Sequence, residues 1–226
     1  MSIEEIYMNN INKAIVYIDG FNLYYGITSK GWNQYKWLDL ISFSQTLIPI
    51  DHQLCQVRYF TSRITGDTEK HNRQQKYINA IILHSGMMID IKYGNYKKFD
   101  SHCKYCQSRP VYCLKCGNEY SKHNEKKTDV NVTTAMLLDC FEKRTDCIIL
   151  VSGDSDYETP LLEINRHFPG VQKIVAFPPK RRNPSLYKCC DQYFDITENS
   201  FKNCLLPNPV ISPINGKKIT KPSEWV

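Results

Sequence analysis

Asp19, Asp129, Asp154 and Asp156 are the residues of this chain best placed to do chemistry. Asp19 closes the apolar run Ala14-Ile15-Val16-Tyr17-Ile18, and Gly20-Phe21-Asn22 follows it. Asp154 and Asp156 follow Cys147-Ile148-Ile149-Leu150-Val151 by way of Ser152-Gly153. An apolar run ending in Asp-Gly or Gly-Asp reads as a buried parallel strand that delivers a carboxylate to the sheet's carboxyl edge. Open α/β sheets place their ligands at that edge. Carboxylates gathered there repel one another unless a cation neutralises them, and hard oxygen donors select Mg²⁺ or Mn²⁺. The chemistry that follows is metal-assisted hydrolysis of a phosphodiester. Plainer roles exist for each residue. Asp129 and Asp156 suit a helix start, where a carboxylate caps free N–H groups, and Asp19-Gly20 suits a turn. No capping role is evident for Asp154. The joint occurrence is what points to a site.

The elements that would position these aspartates are written in the hydrophobic pattern. Strands are expected over 13–19, 54–61, 87–93, 146–152, 172–177 and 193–196. Helices are expected over 21–27, 39–48, 67–84, from 128 onward, over 155–167 and over 184–190, with Asp67 as a cap and Gly170 as a stop. Strands alternating with helices predict an α/β fold, a doubly wound parallel sheet with right-handed crossovers.

Three segments, in order, carry a family resemblance: Ile18-Asp19-Gly20-Phe21-Asn22, Lys127-Thr128-Asp129-Val130 and Val151-Ser152-Gly153-Asp154-Ser155-Asp156-Tyr157. Together they resemble the NYN domain, a branch of the PIN-like nuclease superfamily with a Rossmann-like fold. Tyr157 stands where that family usually has Phe. The resemblance covers roughly 13–98 and 125–197. It implies that Asp19, Asp129, Asp154 and Asp156 are the Mg²⁺ or Mn²⁺ ligands and that Asn22 lines the same pocket. It implies a metal-dependent ribonuclease, an endoribonuclease, with RNA as partner. Attack by a metal-bound hydroxide would leave 5′-phosphate and 3′-hydroxyl ends. Arg63, Arg73 and Lys127 are candidate phosphate contacts, and each could equally be a surface cation. The competing reading is a catalytically silent NYN module that binds RNA or protein. A nucleotide hydrolase is disfavoured, because no phosphate-cradling Gly-rich loop is present.

Between the halves of the expected domain lies a second motif. Cys103, Cys106, Cys113 and Cys116 form two Cys-x-x-Cys pairs six residues apart, the spacing of a structural Zn²⁺ site with four thiolates. His102 and His123 are reserve ligands. Periodicity stops near 99 and resumes near 125, so 99–124 is expected to be an inserted zinc-ribbon-like module, folded by its metal. The expected organisation is 1–98 and 125–200 for the nuclease domain, 99–124 for the zinc module and 201–226 for a tail packed on the surface. Cys55, Cys140 and Cys147 read as small buried hydrophobes.

Whole-chain composition agrees with an anionic polymer as partner. Lys and Arg number 29 against 23 Asp and Glu, a formal charge of +6 over 226 residues. At 42% hydrophobic the chain can build a packed core. No apolar run approaches the length needed to span a bilayer, so no membrane role is expected. Met1-Ser2-Ile3-Glu4-Glu5 lacks the order of a secretory signal, and a cytoplasmic location is expected. Self-association as a homodimer is left open.

Overall fold

A computed structural model describes residues 12–65, 67–100, 112 and 121–225. The first strand, β1 (Asn12–Asp19), is buried from Ala14 to Asp19. Asp19 ends it by accepting the backbone N–H of Asn22, which starts α1 (Gly20–Ser29). The short helix α2 (Leu40–Gln45) is capped by Asp39. Strand β2 (His52–Ser62) leads to α3 (Thr68–Ser85), whose cap is Asp67, as the sequence predicts. Strand β3 (Ile89–Asp100) and strand β4 (Ser121–Lys126) precede α4 (Thr128–Phe141). Strand β5 (Cys147–Val151) is wholly buried, and each of its Ile, Leu and Val side chains contributes about 1.5–3 kcal/mol by leaving water. A 3₁₀ turn (Ser155–Tyr157) leads into α5 (Glu158–His167), with Pro160 in its first turn, where no helical N–H is lost. Strands β6 (Gln172–Phe177) and β7 (Gln192–Asp195) complete the main sheet. Pro184–Lys188 is 3₁₀ rather than the expected longer helix.

The sheet runs β4-β3-β2-β1-β5-β6-β7, with every neighbouring pair parallel except β3 with β4. Six parallel strands therefore make the doubly wound sheet. One face packs on α1, α2 and α3 through residues such as Val16, Ile18, Leu23, Phe43 and Ile81. The other packs on α4 and α5 through Ile15, Leu150, Val132, Met136 and Leu161. The chain winds outward from β1 through β2 to β3, then resumes on the other side of β1 at β5. Strand order thus reverses between β1 and β5, and the carboxyl ends of those strands flank the crevice that such a reversal opens. Asp19 and Ser152-Gly153-Asp154 are at those ends.

A buried ion network seats α4 against the sheet. Arg58 of β2 donates from Nε and Nη2 to the two carboxylate oxygens of Asp139, each at 2.6 Å, and Tyr17 donates to the same carboxylate at 2.7 Å. Asp139 is fully buried, so this bidentate pairing is what makes its charge tolerable. Burial, and then the neighbouring carboxylate, push the Tyr17 hydroxyl well above its ordinary pKa and keep it a donor.

Three expectations change. Strand β3 continues to Asp100 and pairs antiparallel with β4 in the register Asn95↔Lys126 to Asp100↔Ser121, so the chain leaves and re-enters the sheet on a two-stranded ribbon. Backbone ladders need no apolar alternation, and none announced this one. The segment 201–226, expected on the surface, sends Phe201, Cys204, Leu206, Val210 and Trp225 into the core. Cys55 is exposed, because it is the extra residue of a bulge: Leu54 pairs with Ala14 and Gln56 with Ile15. Cys140 and Cys147 are buried as expected. The zinc expectation on Cys103, Cys106, Cys113 and Cys116 falls outside the described residues. No helix among the described residues is long and apolar enough to cross a membrane.

Candidate active site

The crevice at the β1–β5 reversal is knitted by side chains from both strand ends. Asp19 is 5% exposed. One of its oxygens accepts from Asn22 N–H at 3.0 Å and the other from the Ser152 hydroxyl at 3.1 Å. Ser152 Oγ in turn accepts the N–H of Asp154 at 3.2 Å. Asp154 then accepts the N–H of Asp156 at 3.0 Å and so starts the 3₁₀ turn. The cap at this turn is thus Asp154, whereas the plain reading of the sequence gave that part to Asp156. Asp156 sits in the turn itself and is exposed. Asn22 Oδ1 accepts the N–H of Gly153 at 3.1 Å, tying the first motif to the third.

Asp129 arrives from the other direction, in the first turn of α4 behind Lys127, a residue in left-handed conformation. Its carboxylate accepts the Tyr157 hydroxyl at 3.0 Å, and it also takes a backbone N–H hydrogen bond in that first turn. Burial raises the pKa of Asp129, the Tyr157 hydrogen bond opposes that rise, and the charges of Asp154 and Asp156 add to it. Tyr157 is fully buried, and desolvation followed by the charges of Asp19 and Asp129 drives its hydroxyl far above the ordinary range. It therefore stays protonated and donates. The four aspartates of the sequence reading share one electrostatic neighbourhood on one edge of the sheet.

Oxygen donors of this kind suit a hard divalent cation. Among the described residues, however, no three His, Cys, Asp or Glu side chains stand close enough to enclose one. The donors fit a cation in kind, and they do not form a closed cage.

Residues that the sequence did not single out complete the crevice. Asn183 donates from Nδ2 to Gly153 O at 3.0 Å, and Arg181 presses its carbonyl against Gly153, where a Cβ would come within 1.7 Å. Nothing local marks Asn183, because its partner is 30 residues away. Arg181 lies over Tyr25 at 5.7 Å, and Arg182 lies over Tyr187 and Tyr193, which stack at 4.2 Å. Of the candidate phosphate contacts, Arg63 stands just past β2 on the same edge, over Tyr93 at 4.8 Å. Lys127 is exposed beside Asp129. Arg73 lies on α3 and is bound to Glu224 at 2.9 Å and to Glu69 at 3.6 Å, so carboxylates already meet its charge. Gly20, next to Asp19, lines a pocket of about 300 Å³ on the α1–α3 face.

Residues 13–197 match the NYN domain. Over 93% of its length the chain is 27% identical to 6-hydroxy-3-succinoylpyridine 3-monooxygenase of Pseudomonas putida, of which the match covers 74%. The fold is similar to that of a crystallised protein of unknown function from Vibrio parahaemolyticus, with a TM-score of 0.51 and 16% identity. That likeness covers 85% of this chain and 97% of the other.

Proposed function

Because the chain belongs to the NYN domain family and has its nuclease-like fold, we propose that it is a metal-dependent ribonuclease that cuts RNA internally. The observation that carries this reading is the gathering of carboxylates on one sheet edge, where Ser152 bridges Asp19 to the Asp154 backbone and Tyr157 holds Asp129. Burial first, and then the charges of Asp154 and Asp156, raise the pKa of Asp129 at the topological switch. No three of these carboxylates enclose an ion as they stand, so Asp19, Asp129 and Asp154 would have to draw together to hold Mg²⁺ or Mn²⁺, with Asp156 at the open side. Bound there, such an ion supplies charge neutralisation and a water acidic enough to attack phosphorus.

The chain's own residues do the rest. Ser152 and the Asn22 N–H fix both oxygens of Asp19, so that carboxylate is preorganised. Asn22 has its carbonyl on Gly153, which makes it a positioning residue for the turn carrying Asp154. Tyr157 orients Asp129. Arg63 and Lys127, with Arg181 and Arg182 among aromatic rings, are suited to phosphates and unpaired bases. The thiolates of Cys103, Cys106, Cys113 and Cys116 would hold a separate structural Zn²⁺, since soft and hard donors select different ions. An RNA cleavage assay with and without Mn²⁺, run on wild type and Asp154→Asn, tests the reading. Cleavage that needs Mn²⁺ and disappears in the variant supports it, and equal cleavage by both proteins refutes it.

A second reading takes its substrate class from the name of the Pseudomonas relative, an enzyme of a small pyridine compound. The pocket beside Gly20 favours it, since its lining is rich in aromatic rings.

A further inference from the structure

The pocket beside Gly20 has no part in the carboxylate site, and its walls have a definite chemistry. It opens between α1 and α3 on the sheet face opposite α4 and α5. The ends of β1 and β2 contribute Gly20, Tyr59 and Thr61, and the helices contribute Tyr24, Gln74 and Tyr77. Trp225 of the C-terminal segment closes it. Its volume of about 300 Å³ is at the small end of pockets that take organic ligands.

Two features narrow the ligand. Seven of the nineteen lining residues are aromatic, which favours a flat ring that can stack. Lys36, Lys70 and Arg73 line the pocket, and no Asp or Glu does. Lys70 pairs with Asp67 and Arg73 with Glu69 and Glu224, and none of these carboxylates is a lining residue. Lys36 Nζ stands 4.9 Å from the Tyr24 ring, so a cation and a stacking face are presented side by side. The polar wall is also locked. Gln74 donates to Thr61 Oγ1 and Ser62 O and accepts from Ile64 N–H, and Tyr77 donates to Leu38 O. A wall already hydrogen-bonded to the protein loses little freedom when a ligand arrives.

We propose that this pocket binds a planar heteroaromatic ring bearing an anionic group. The ring stacks among Tyr24, Tyr59 and Trp225, and the anion meets Lys36. Two sources share that chemistry: a nucleotide of an RNA strand, or a free small molecule such as a mononucleotide or a pyridine carboxylate. In the strand case the proposal rests on the ribonuclease reading, and it places a base next to Asp19 through Gly20.

The test measures binding in EDTA, so that cleavage plays no part. The full chain is titrated with uridine 5′-monophosphate, nicotinate, a short single-stranded RNA and inorganic phosphate. Tryptophan fluorescence and calorimetry are the readouts. At least one ring-bearing probe should bind well above inorganic phosphate. Tyr24→Ala and Lys36→Gln should each weaken that binding about tenfold, the scale of one lost stacking or charged partner. Asp154→Asn should leave the binding of the free mononucleotide and nicotinate unchanged. A response to RNA alone assigns the ring to the strand, and a response to the free molecules assigns a small ligand. Ring-bearing probes that bind no better than phosphate, or binding that both pocket variants leave intact, overturn the proposal. Loss or retention of cleavage in Asp154→Asn is a separate readout, so the pocket and the nuclease reading fail independently.

Discussion

Asp129 is the residue in which fold and chemistry conflict most openly. Burial raises its pKa, and the charges of Asp154 and Asp156 raise it further against the pull of the Tyr157 hydrogen bond. A carboxyl whose folded-state pKa exceeds its unfolded value binds more protons in the folded chain. Stability is then greatest below the unfolded pKa and falls as pH rises through the interval up to the folded one. Asp129→Asn keeps an oxygen acceptor for Tyr157 and removes the charge. Its melting temperature at pH 7 should exceed that of wild type by a few degrees, and the gain should vanish below the ordinary carboxylate pKa, near about pH 3. Mn²⁺ should raise the wild-type melting temperature and leave the variant almost unmoved, because a cation stabilises only the form that holds it. Calorimetric scans at the two pH values, each with and without Mn²⁺, decide the matter. An unchanged melting temperature at pH 7 would show that Asp129 is not under repulsion.

The turn between β5 and α5 is the element on which the crevice depends, and Gly153 is its narrowest point. Asn22 and Asn183 hold its N–H and carbonyl from opposite sides. A Cβ there would meet the Arg181 carbonyl at 1.7 Å, a backbone group that cannot swing away as a side chain would. Gly153→Ala should therefore cost about 1–3 kcal/mol or more and should abolish cleavage, because the turn carrying Asp154 must move. Gly170→Ala, with nothing within 4 Å of the new carbon, should change neither property and serves as the control. Urea unfolding of both variants tests this, and a Gly153→Ala protein as stable as wild type would contradict the close approach. What the sequence disclosed of this region follows from distance along the chain. Residues 147–151 had to be a buried strand because nothing else accommodates five consecutive apolar side chains before Ser152-Gly153. The three motifs were legible because each is local. Asn183 was not, since its role exists only once β6 has brought 183 beside 153. The cap at Asp154 rather than Asp156, and the bulge that turns Cys55 outward, depend on backbone geometry that residue types leave open.

At the scale of the whole molecule, residue 197, where the family match stops, is not where the folded unit ends. The core continues into the C-terminal segment. Asp39 N–H donates to Cys204 O, Leu206 N–H donates to Trp37 O, and Trp37 Nε1 donates to Pro207 O. Trp225 then packs against Tyr77 at 5.8 Å and Trp37 at 6.3 Å, and the adjacent Glu224 pairs with Arg73. These partners lie far from 225 in sequence, and four prolines make the segment read as a tail packed on the surface. Its removal should therefore act like a core mutation. Trp225→Ala should cost about 3–5 kcal/mol, the scale for deleting a buried aromatic ring, and Trp225→Phe should recover part of that. Ending the chain at residue 205 removes Leu206, Val210 and Trp225 together, so it should lower the urea midpoint further or leave the protein insoluble. The ordering truncation below Trp225→Ala below Trp225→Phe below wild type is the expected result. A truncated chain with the wild-type midpoint would mean that the segment only rests on a core already complete without it.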